Sequence, residues 1–255
     1  MKISFATTCM GRAHHLRQTL PRNLADTVDW VRPDAVEFVV LDYSSPDDLA
    51  EWFATSDDLA PYRERGIVRL VRVPGQTHFR HSHAKNLAHR ASTGDVVCNV
   101  DADNFVGAGF APFLRATFVR RPRVVVATSR LDRGLVEPRW QGCMGRVALR
   151  RADFDALGGY DESDRFRGWA GEDNDLLLRA VRSRLAPVLI RDRRFLEVVT
   201  HSDLERIALT EHDDPAAELA RVGSLDGSRV VPVLRHVAGR IRTPRVANVA
   251  RHLLG

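Results

Sequence analysis

Short apolar runs alternate with longer amphipathic stretches along the first hundred residues. The apolar runs cover residues 2–7, 36–41, 67–73 and 96–100, and helical patterns cover residues 13–30, with a kink expected near Pro21, and about 49–54. Apolar runs of this length are typical of strands that are buried on both faces of a sheet. The order strand, polar loop, helix therefore predicts βαβ units and a mostly parallel sheet.

The second half continues with less regular signals. We predict a helix at residues 110–119, a strand at 124–128, a helix that starts at Ala152, a helix with an acidic first turn at Glu172, and a strand at 195–200 that ends at His201. The chain contains no G-x-G-x-x-G pattern, which disfavours a dinucleotide-binding fold. The fold class that we predict is α/β, with a mostly parallel central sheet flanked by helices.

Length and composition narrow the class of protein. A chain of 255 residues with 28% charged residues can form one large α/β domain, or one domain with a small appendage. No run of eighteen apolar residues occurs, and the N-terminus resembles a first strand more than a signal peptide. We therefore expect a cytoplasmic protein whose three cysteines, Cys9, Cys98 and Cys143, are reduced.

The formal charge of +5 is concentrated in the tail. Residues 226–255 contain one acid and six arginines: Arg229, Arg235, Arg240, Arg242, Arg245 and Arg251. A basic tail can contact phosphate, an anionic lipid surface or an acidic carrier protein, and it can equally be a solvated helical face. We predict a domain at 1–225 and a basic helical tail at 226–255, with peripheral membrane contact as one option.

Two carboxylates follow the fourth predicted strand. Asp101-Ala102-Asp103 stands at its carboxyl end, where open α/β sheets bind ligands, and carboxylate oxygens suit Mg²⁺ or Mn²⁺ with a bound pyrophosphate. Many Asp-x-Asp tripeptides are only solvated turns. Residues 74–92 hold four histidines without the spacing of a zinc site, so we expect this basic helix start, with Lys85, to face phosphate.

A glycine-flanked tryptophan precedes the acidic helix. Gly168 and Gly171 free the backbone around Trp169, and an exposed Trp is favoured only where something stacks on it. Glu172 and Asp173 follow in the first turn, where the helix dipole favours acids. An acid-rich helix start is the simpler interpretation, but a mobile Gly-Trp-Ala-Gly loop followed by paired carboxylates is more than a helix cap requires.

In this order and spacing the motifs resemble the GT-A-fold nucleotide-sugar glycosyltransferases, specifically family 2 members whose second half is similar to the animal β-1,4-galactosyltransferases. The resemblance spans roughly residues 2–202. It rests on Thr8-Cys9-Met10-Gly11-Arg12-Ala13-His14-His15-Leu16, Phe79-x₆-Asn86, Asp101-Ala102-Asp103, Gly168-Trp169-Ala170-Gly171-Glu172-Asp173-Asn174-Asp175 and His201-Ser202. The chain departs from the family at His81, where the family has Arg, and at Val198, where the galactosyltransferases have a Met metal ligand.

The resemblance implies roles for these residues. It predicts that Asp173 is the general base of an inverting hexosyltransferase, that Asp103 and His201 hold Mn²⁺ or Mg²⁺, and that Glu172 contacts the acceptor. The expected nucleotide-sugar contacts are Thr8, Arg12, Asp42, Phe79, Lys85, Asn86, Asp101, Trp169 and Gly171. The donor is expected to be a UDP-sugar, bound by residues 1–106, and the acceptor would meet residues 107–225.

Three other functions fit parts of the sequence. A nucleotidyltransferase could use the same sheet and Asp pair, although it has no need for Trp169 and Asp173. A metal-dependent hydrolase could use the histidines at residues 78–89. A basic nucleic-acid-binding protein would depend steeply on salt, but beyond the arginine tail no binding motif supports it, so we expect no nucleic-acid partner.

Overall fold

A seven-stranded mixed sheet forms the centre of the molecule in the computed structural model, which describes residues 1–128, 143, 145–169 and 171–224. The strands are β1 (Ile3–Cys9), β2 (Val36–Asp42), β3 (Val68–Arg72), β4 (Val96–Asn99), β5 (Val124–Ala127), β6 (Val147–Arg150) and β7 (Ala186–Leu189). The helices are α1 (Ala13–Val28), α2 (Leu49–Thr55), α3 (Ala60–Glu64), α4 (His81–Ala91), α5 (Phe110–Arg120), α6 (Arg151–Ala156), α7 (Glu172–Arg182), α8 (Asp203–Ile207) and α9 (Pro215–Ser224). Short 3₁₀ turns occupy Pro33–Ala35, Asp164–Phe166 and Arg193–Phe195.

The strand order is β3-β2-β1-β4-β6-β5-β7. β6 runs antiparallel to both neighbours, and the other four pairings are parallel. In the register, Cys9 lies opposite Asp42, and Ala6 lies opposite Asn99. The carboxyl ends of β1, β2 and β4 therefore open on one side of the sheet, and the predicted mostly parallel α/β fold is confirmed.

The core explains why the first four strands are so apolar. All residues of β1, β2 and β4 are buried, because helices cover both faces of this part of the sheet. Phe5 packs against Phe38 and Phe110 at ring-centroid distances of 4.9 and 6.2 Å. α7 buries Leu176 and Leu177 against a separate cluster that includes β5 and β6.

β6 and β7 have no counterpart among the predicted strands, and the strand predicted at residues 195–200 is wrong. β6 and β7 have only four residues each, and β7 is a half-buried strand at the end of the sheet, so neither leaves a strong apolar run. Residues 197–199 do not join the sheet. They pair with the loop after β4 through a single antiparallel bridge between Asn104 and Val198.

The structure also bears on the predictions for Pro21, for the three cysteines and for a membrane-spanning segment. α1 continues through Pro21. Cys9, Cys98 and Cys143 are buried free thiols, and burial raises the pKa of Cys9 and of Cys98 to about 12. Across the described ranges, no helix combines the length and apolar character needed to cross a bilayer. The predicted tail at 226–255 lies outside the described residues.

Candidate active site

Asp103 and His201 meet at the carboxyl end of β4. The Asp103 side chain is buried, and its Oδ2 lies 2.8 Å from His201 Nε2. Asn104 Nδ2 donates to Asp103 Oδ1 at 2.7 Å. Burial alone would raise the pKa of Asp103, but the hydrogen bond and charge of His201 outweigh it and hold that pKa below its usual value. Asp103 is therefore an ionised carboxylate at neutral pH.

The segment before His201 explains how two residues 98 positions apart come together. Val199 N donates to Asp103 O at 2.7 Å, and Phe105 N donates to Glu197 O at 3.0 Å. With the bridge between Asn104 and Val198, these bonds fix residues 197–199 beside the β4 loop. The backbone pairing thus presents His201 to the carboxylate.

Arg12 lies beside this pair. It follows β1, and its Nη1 is 3.2 Å from His201 Nε2, while its Nη2 donates to Glu205 O at 2.8 Å. Thr8 is buried one residue before the end of β1. The first loop therefore brings a guanidinium to the same end of the sheet as Asp103 and His201.

Asp101 lies between that pair and a second charged cluster. Asn99 Nδ2 donates to its Oδ1 at 2.9 Å, and Lys85 Nζ lies 3.8 Å from the same oxygen. Burial raises the pKa of Asp101. A Cβ at residue 145 would stand 2.0 Å from Asp101 Oδ2, so only glycine allows the backbone to approach this closely.

The second cluster joins α4 to the first turn of α7. Lys85 Nζ lies 2.7 Å from Glu172 Oε1 and 2.8 Å from each carboxylate oxygen of Asp173. Gly171, at φ 115°, precedes the helix in a conformation that favours glycine. The acids occupy the helix N-terminus, as predicted.

The carboxylates of this cluster differ electrostatically. Burial raises the pKa of Asp173 well above its usual value, and the charges of Glu172 and Asp101 add to the effect, while Lys85 opposes it. Burial also acts to raise the pKa of Glu172, but Lys85 and then His81 lower it to about 2. The Lys85 ammonium stays protonated because three surrounding carboxylates outweigh its desolvation.

Three predicted site residues lie against other groups of the protein. Lys85, expected at phosphate, lies among carboxylates. Glu172, expected at the acceptor, is buried against Lys85. Asn86, expected at the nucleotide, donates to Tyr160 O at 2.9 Å and accepts from Tyr160 N at 2.8 Å, and these two bonds hold the turn after α6.

Asp42 and Phe79 lie farther along the same end of the sheet. Asp42 ends β2, accepts from Ser45 N at 2.7 Å, and lies 3.1 Å from Arg72 Nε. Phe79 is half-buried and makes edge contacts with Tyr43 and His81, at 5.8 and 4.6 Å between ring centroids. An aromatic ring and a carboxylate are thus available near the opening between β1 and β2.

The Trp169 loop is held by the last two described helices. Trp169 N donates to Glu218 Oε1 at 2.9 Å, and Arg221 pairs with Glu218 and donates to Trp169 O. The Arg206 guanidinium lies 5.3 Å from the centroid of the Trp169 ring. Ala170 of the predicted motif lies outside the described residues.

A group of potential metal ligands that the sequence pattern did not indicate lies next to the site. His14 and His15 Nε2 lie 3.0 and 3.2 Å from Glu205 Oε1, and the His15 ring lies 5.1 Å from that of His201. Within the described ranges, this is the group of three His, Cys, Asp or Glu side chains close enough to share one metal ion. The histidines at residues 78–89 do not form such a group there, so the hydrolase alternative gains no support from them.

Comparisons with known proteins identify one family model and several solved structures that resemble this chain. Residues 123–213 match the family model described as the N-terminal domain of galactosyltransferase. The mannosyltransferase PcManGT from Pyrobaculum calidifontis, solved with GDP-Man and Mn²⁺, has 17% identity and a TM-score of 0.61 over 99% of this chain and 79% of its own.

The TarS protein of S. aureus has a similar fold. Its chain spanning residues 1–349 has 16% identity and a TM-score of 0.53 over 71% of this chain, and the same portion of TarS in complex with UDP-GlcNAc has 15% identity and a TM-score of 0.54 over 79%. The present chain spans 55% and 62% of the length of these two TarS chains. No curated protein matches the sequence. Residues 123–213 thus match the galactosyltransferase family model, and the chain has the fold of the PcManGT and TarS structures.

Proposed function

We propose that the chain is an inverting, metal-dependent glycosyltransferase that moves a hexose or N-acetylhexosamine from a UDP-sugar to an acceptor hydroxyl. The observation that carries the proposal is the arrangement of two carboxylate centres on one side of the sheet. The Asp103–His201 pair lies at the end of β4, and Asp173 lies at the start of α7, with Asp101 and Lys85 between them. The Asp103–His201 pair would stabilise the leaving diphosphate, and Asp173 would activate the attacking hydroxyl.

On the donor side, Asp103 and His201 would hold the divalent ion. One ionised carboxylate and one imidazole form a donor set that suits Mn²⁺. A metal bound there supplies Lewis-acid stabilisation of the developing diphosphate charge. Arg12, 3.2 Å from His201 Nε2, adds a fixed positive charge for the same phosphates.

On the acceptor side, Asp173 takes the proton of the attacking hydroxyl. The acceptor oxygen forms a bond to the anomeric carbon while the bond from that carbon to the phosphate oxygen breaks, and the electron pair leaves with the diphosphate. A carboxylate whose pKa is raised by burial is a stronger base than an exposed one. Direct displacement of this kind inverts the anomeric centre without an enzyme nucleophile.

The remaining proposed donor contacts are assigned from where these residues lie relative to the carboxyl ends of the strands. Thr8, Asp42 and Phe79 surround the opening where the nucleoside would lie, and Asp101 would meet the ribose or the sugar. Trp169 would cover the donor and exclude water, and Gly171, two residues later, would let the backbone of this loop approach the donor. UDP is the nucleotide that we favour, supported by the TarS complex with UDP-GlcNAc, and the PcManGT complex makes GDP the alternative to test.

The acceptor is a small molecule, a carrier-bound metabolite or a glycan. If the arginine-rich tail docks an acidic carrier or an anionic lipid surface, deletion after Ser228 will raise the KM for that acceptor and leave the donor KM unchanged. An unchanged acceptor KM would remove the docking role.

A thermal-shift experiment tests the donor side. The chain and its Asp103→Asn variant are heated with UDP, GDP, dTDP and their sugars, with and without Mn²⁺. A ligand at a hundred times its Kd stabilises by about 2.7 kcal/mol, and each kcal/mol raises the melting midpoint by roughly 2–4 °C at this size. We expect metal-dependent stabilisation by one nucleotide that Asp103→Asn abolishes. Stabilisation by metal or nucleic acid alone, with no nucleotide effect, would contradict the proposal.

Product analysis tests the reaction itself. Transfer of the sugar with release of the nucleoside diphosphate, and inversion at the anomeric carbon by NMR, are expected. A product that retains a phosphodiester would indicate a nucleotidyltransferase instead.

A further inference from the structure

Lys85 is an unusual residue in this chain. Of its 38 basic side chains, only Lys2 and Lys85 are lysine, and the other 36 are arginine. Lys2 lies at the surface near the start of β1, whereas the Lys85 side chain is only 3% exposed. In a chain whose basic residues are almost all arginine, the one buried lysine is therefore an exception.

The contacts of Lys85 account for that difference. Its ammonium lies 2.7 Å from Glu172 Oε1, 2.8 Å from both oxygens of Asp173 and 3.8 Å from Asp101 Oδ1. Carboxylates from two different elements converge on one nitrogen. An ammonium is a compact point charge with three donors that can face several directions, whereas a guanidinium is a flat fork that requires acceptors in its plane. This arrangement suits lysine and excludes arginine.

We propose that Lys85 is the positioning residue of the general base: its ammonium holds the Asp173 carboxylate in place for the acceptor hydroxyl, and Glu172 acts as the fixed counter-ion of Lys85 and not as an acceptor ligand. This inference rests on the proposed function, because it takes Asp173 as the base. It replaces the phosphate contact expected for Lys85 and the acceptor contact expected for Glu172.

The surroundings of Asp173 show why a cation is needed there. Lys85 faces it from α4, Glu172 from its own helix, Asp101 from the loop after β4 and Tyr160 from the turn after α6, while His81 faces Glu172. Burial, Glu172 and Asp101 all favour the protonated acid, and Lys85 is the group that favours the carboxylate. Loss of Lys85 would remove this opposition and raise the pKa of Asp173 further, which would make the carboxylate form that accepts the acceptor proton harder to reach.

During transfer, Lys85 itself stays protonated. The acceptor proton moves to Asp173, and the electron pair of the broken bond leaves with the diphosphate, so no proton needs to leave Lys85. Glu172 balances the ammonium throughout, because its own pKa of about 2 keeps it ionised.

Two variants with opposite electrostatic effects test this role. Lys85→Met removes the cation, so we expect kcat to fall by about 10²–10⁴-fold, the range for loss of a general base, with donor binding retained in the thermal-shift assay. The acidic limb of the kcat–pH profile should move to higher pH. Glu172→Gln removes an anion, so the same limb should move to lower pH.

Controls separate positioning from folding and from phosphate binding. Lys2→Met, which removes the other lysine, should change neither kcat nor the profile. Lys85→Arg should not restore kcat, since its fork does not fit the convergent carboxylates. A Lys85→Met variant that loses donor binding while its kcat at saturating donor is unchanged would overturn the proposal and make Lys85 a phosphate ligand.

An NMR experiment tests the contact even if transfer is never observed or Lys85→Met does not fold. Lysine labelled with ¹⁵N at the side-chain nitrogen gives two ammonium signals in this chain, and Lys2→Arg assigns them. We expect Asp173→Asn to shift the Lys85 signal and UDP with Mn²⁺ to leave it nearly unchanged. A signal that responds to UDP and not to Asp173→Asn would refute the positioning role, whatever the result of the transfer assay.

Discussion

Asp103 and Asp173 lie on the same side of the sheet in opposite electrostatic surroundings. His201 holds the pKa of Asp103 below its usual value, whereas burial and neighbouring acids raise that of Asp173. Environments that push the pKa values of two carboxylates apart are the usual way in which one site assigns different roles to them. At the scale of residues, the first is suited to bind a cation and the second to accept a proton.

Asp173→Asn tests the proton-accepting role. The amide keeps the shape of the side chain but cannot accept the proton, so transfer should fall by at least about 10²-fold. The metal-dependent thermal shift with nucleotide should remain within a degree or so of the wild type. Loss of both transfer and donor binding would contradict the assignment of Asp173 as the base.

Gly145→Ala tests the close approach to Asp101. The added methyl group would stand 2.0 Å from Asp101 Oδ2, so the carboxylate or the backbone must move. Overpacking of this kind costs about 1–3 kcal/mol, and we expect a lower melting midpoint together with a higher donor KM. An unchanged donor KM in a variant whose crystal structure shows a displaced Asp101 would show that Asp101 does not contact the donor.

At the scale of elements, α8 and α9 connect the Asp103–His201 pair to the Trp169 loop. α8 carries Arg206, which lies over the Trp169 ring, and Glu205, whose backbone oxygen accepts from Arg12. α9 carries Glu218 and Arg221, which hold both sides of the Trp169 peptide. The loop that would cover the donor is therefore held in position by the helices that follow His201.

Glu218→Gln tests this connection. The neutral amide loses the ion pair to Arg221 and weakens the acceptor for Trp169 N. Hydrogen exchange measured by mass spectrometry should become faster at residues 166–169, and donor KM should rise several-fold. Glu64→Gln, an exposed acid on α3, provides the matched control. Unchanged exchange at 166–169 would show that α9 does not restrain the loop.

At the scale of the whole molecule, stability depends on buried histidines that remain neutral. His89 lies in the core against Phe154 and Tyr160, at ring distances of 4.7 and 5.9 Å. Burial lowers the pKa of His89 from 6.5 to about 3, with smaller contributions from Arg151 and Lys85. In the unfolded chain the same imidazole binds a proton below about pH 6.5.

The sign of the pH dependence follows from proton binding. Between pH 6.5 and 3 the unfolded state binds one more proton at this residue, so the unfolding free energy falls as pH decreases, by up to about 1.4 kcal/mol per pH unit. In His89→Phe this contribution disappears. Urea denaturation from pH 7 to pH 4.5 should therefore give a shallower decline for the variant. Parallel curves for the two proteins would show that His89 is protonated in the folded state.

The sequence by itself determined the parallel half of the sheet and most of the motif positions. β1, β2 and β4 are fully buried, so their apolar runs are continuous, and the carboxylates at their ends follow from strand direction alone. The resemblance to glycosyltransferases placed Asp103 with His201, and the structure brings these two side chains within 2.8 Å. Where a strand is buried on both faces, its local hydrophobic pattern is enough to predict it.

Only the tertiary structure decided the contacts between distant residues. β6 and β7 escaped prediction because four-residue strands carry little pattern, and residues 195–200 were assigned to a strand although they pair with a loop. Lys85 lies 88 positions from Asp173 in sequence, and nothing in the local sequence of either residue indicates that they meet. The direction of an ammonium group, towards phosphate or towards carboxylates, depends on which helices pack together, and that packing is settled by the fold as a whole.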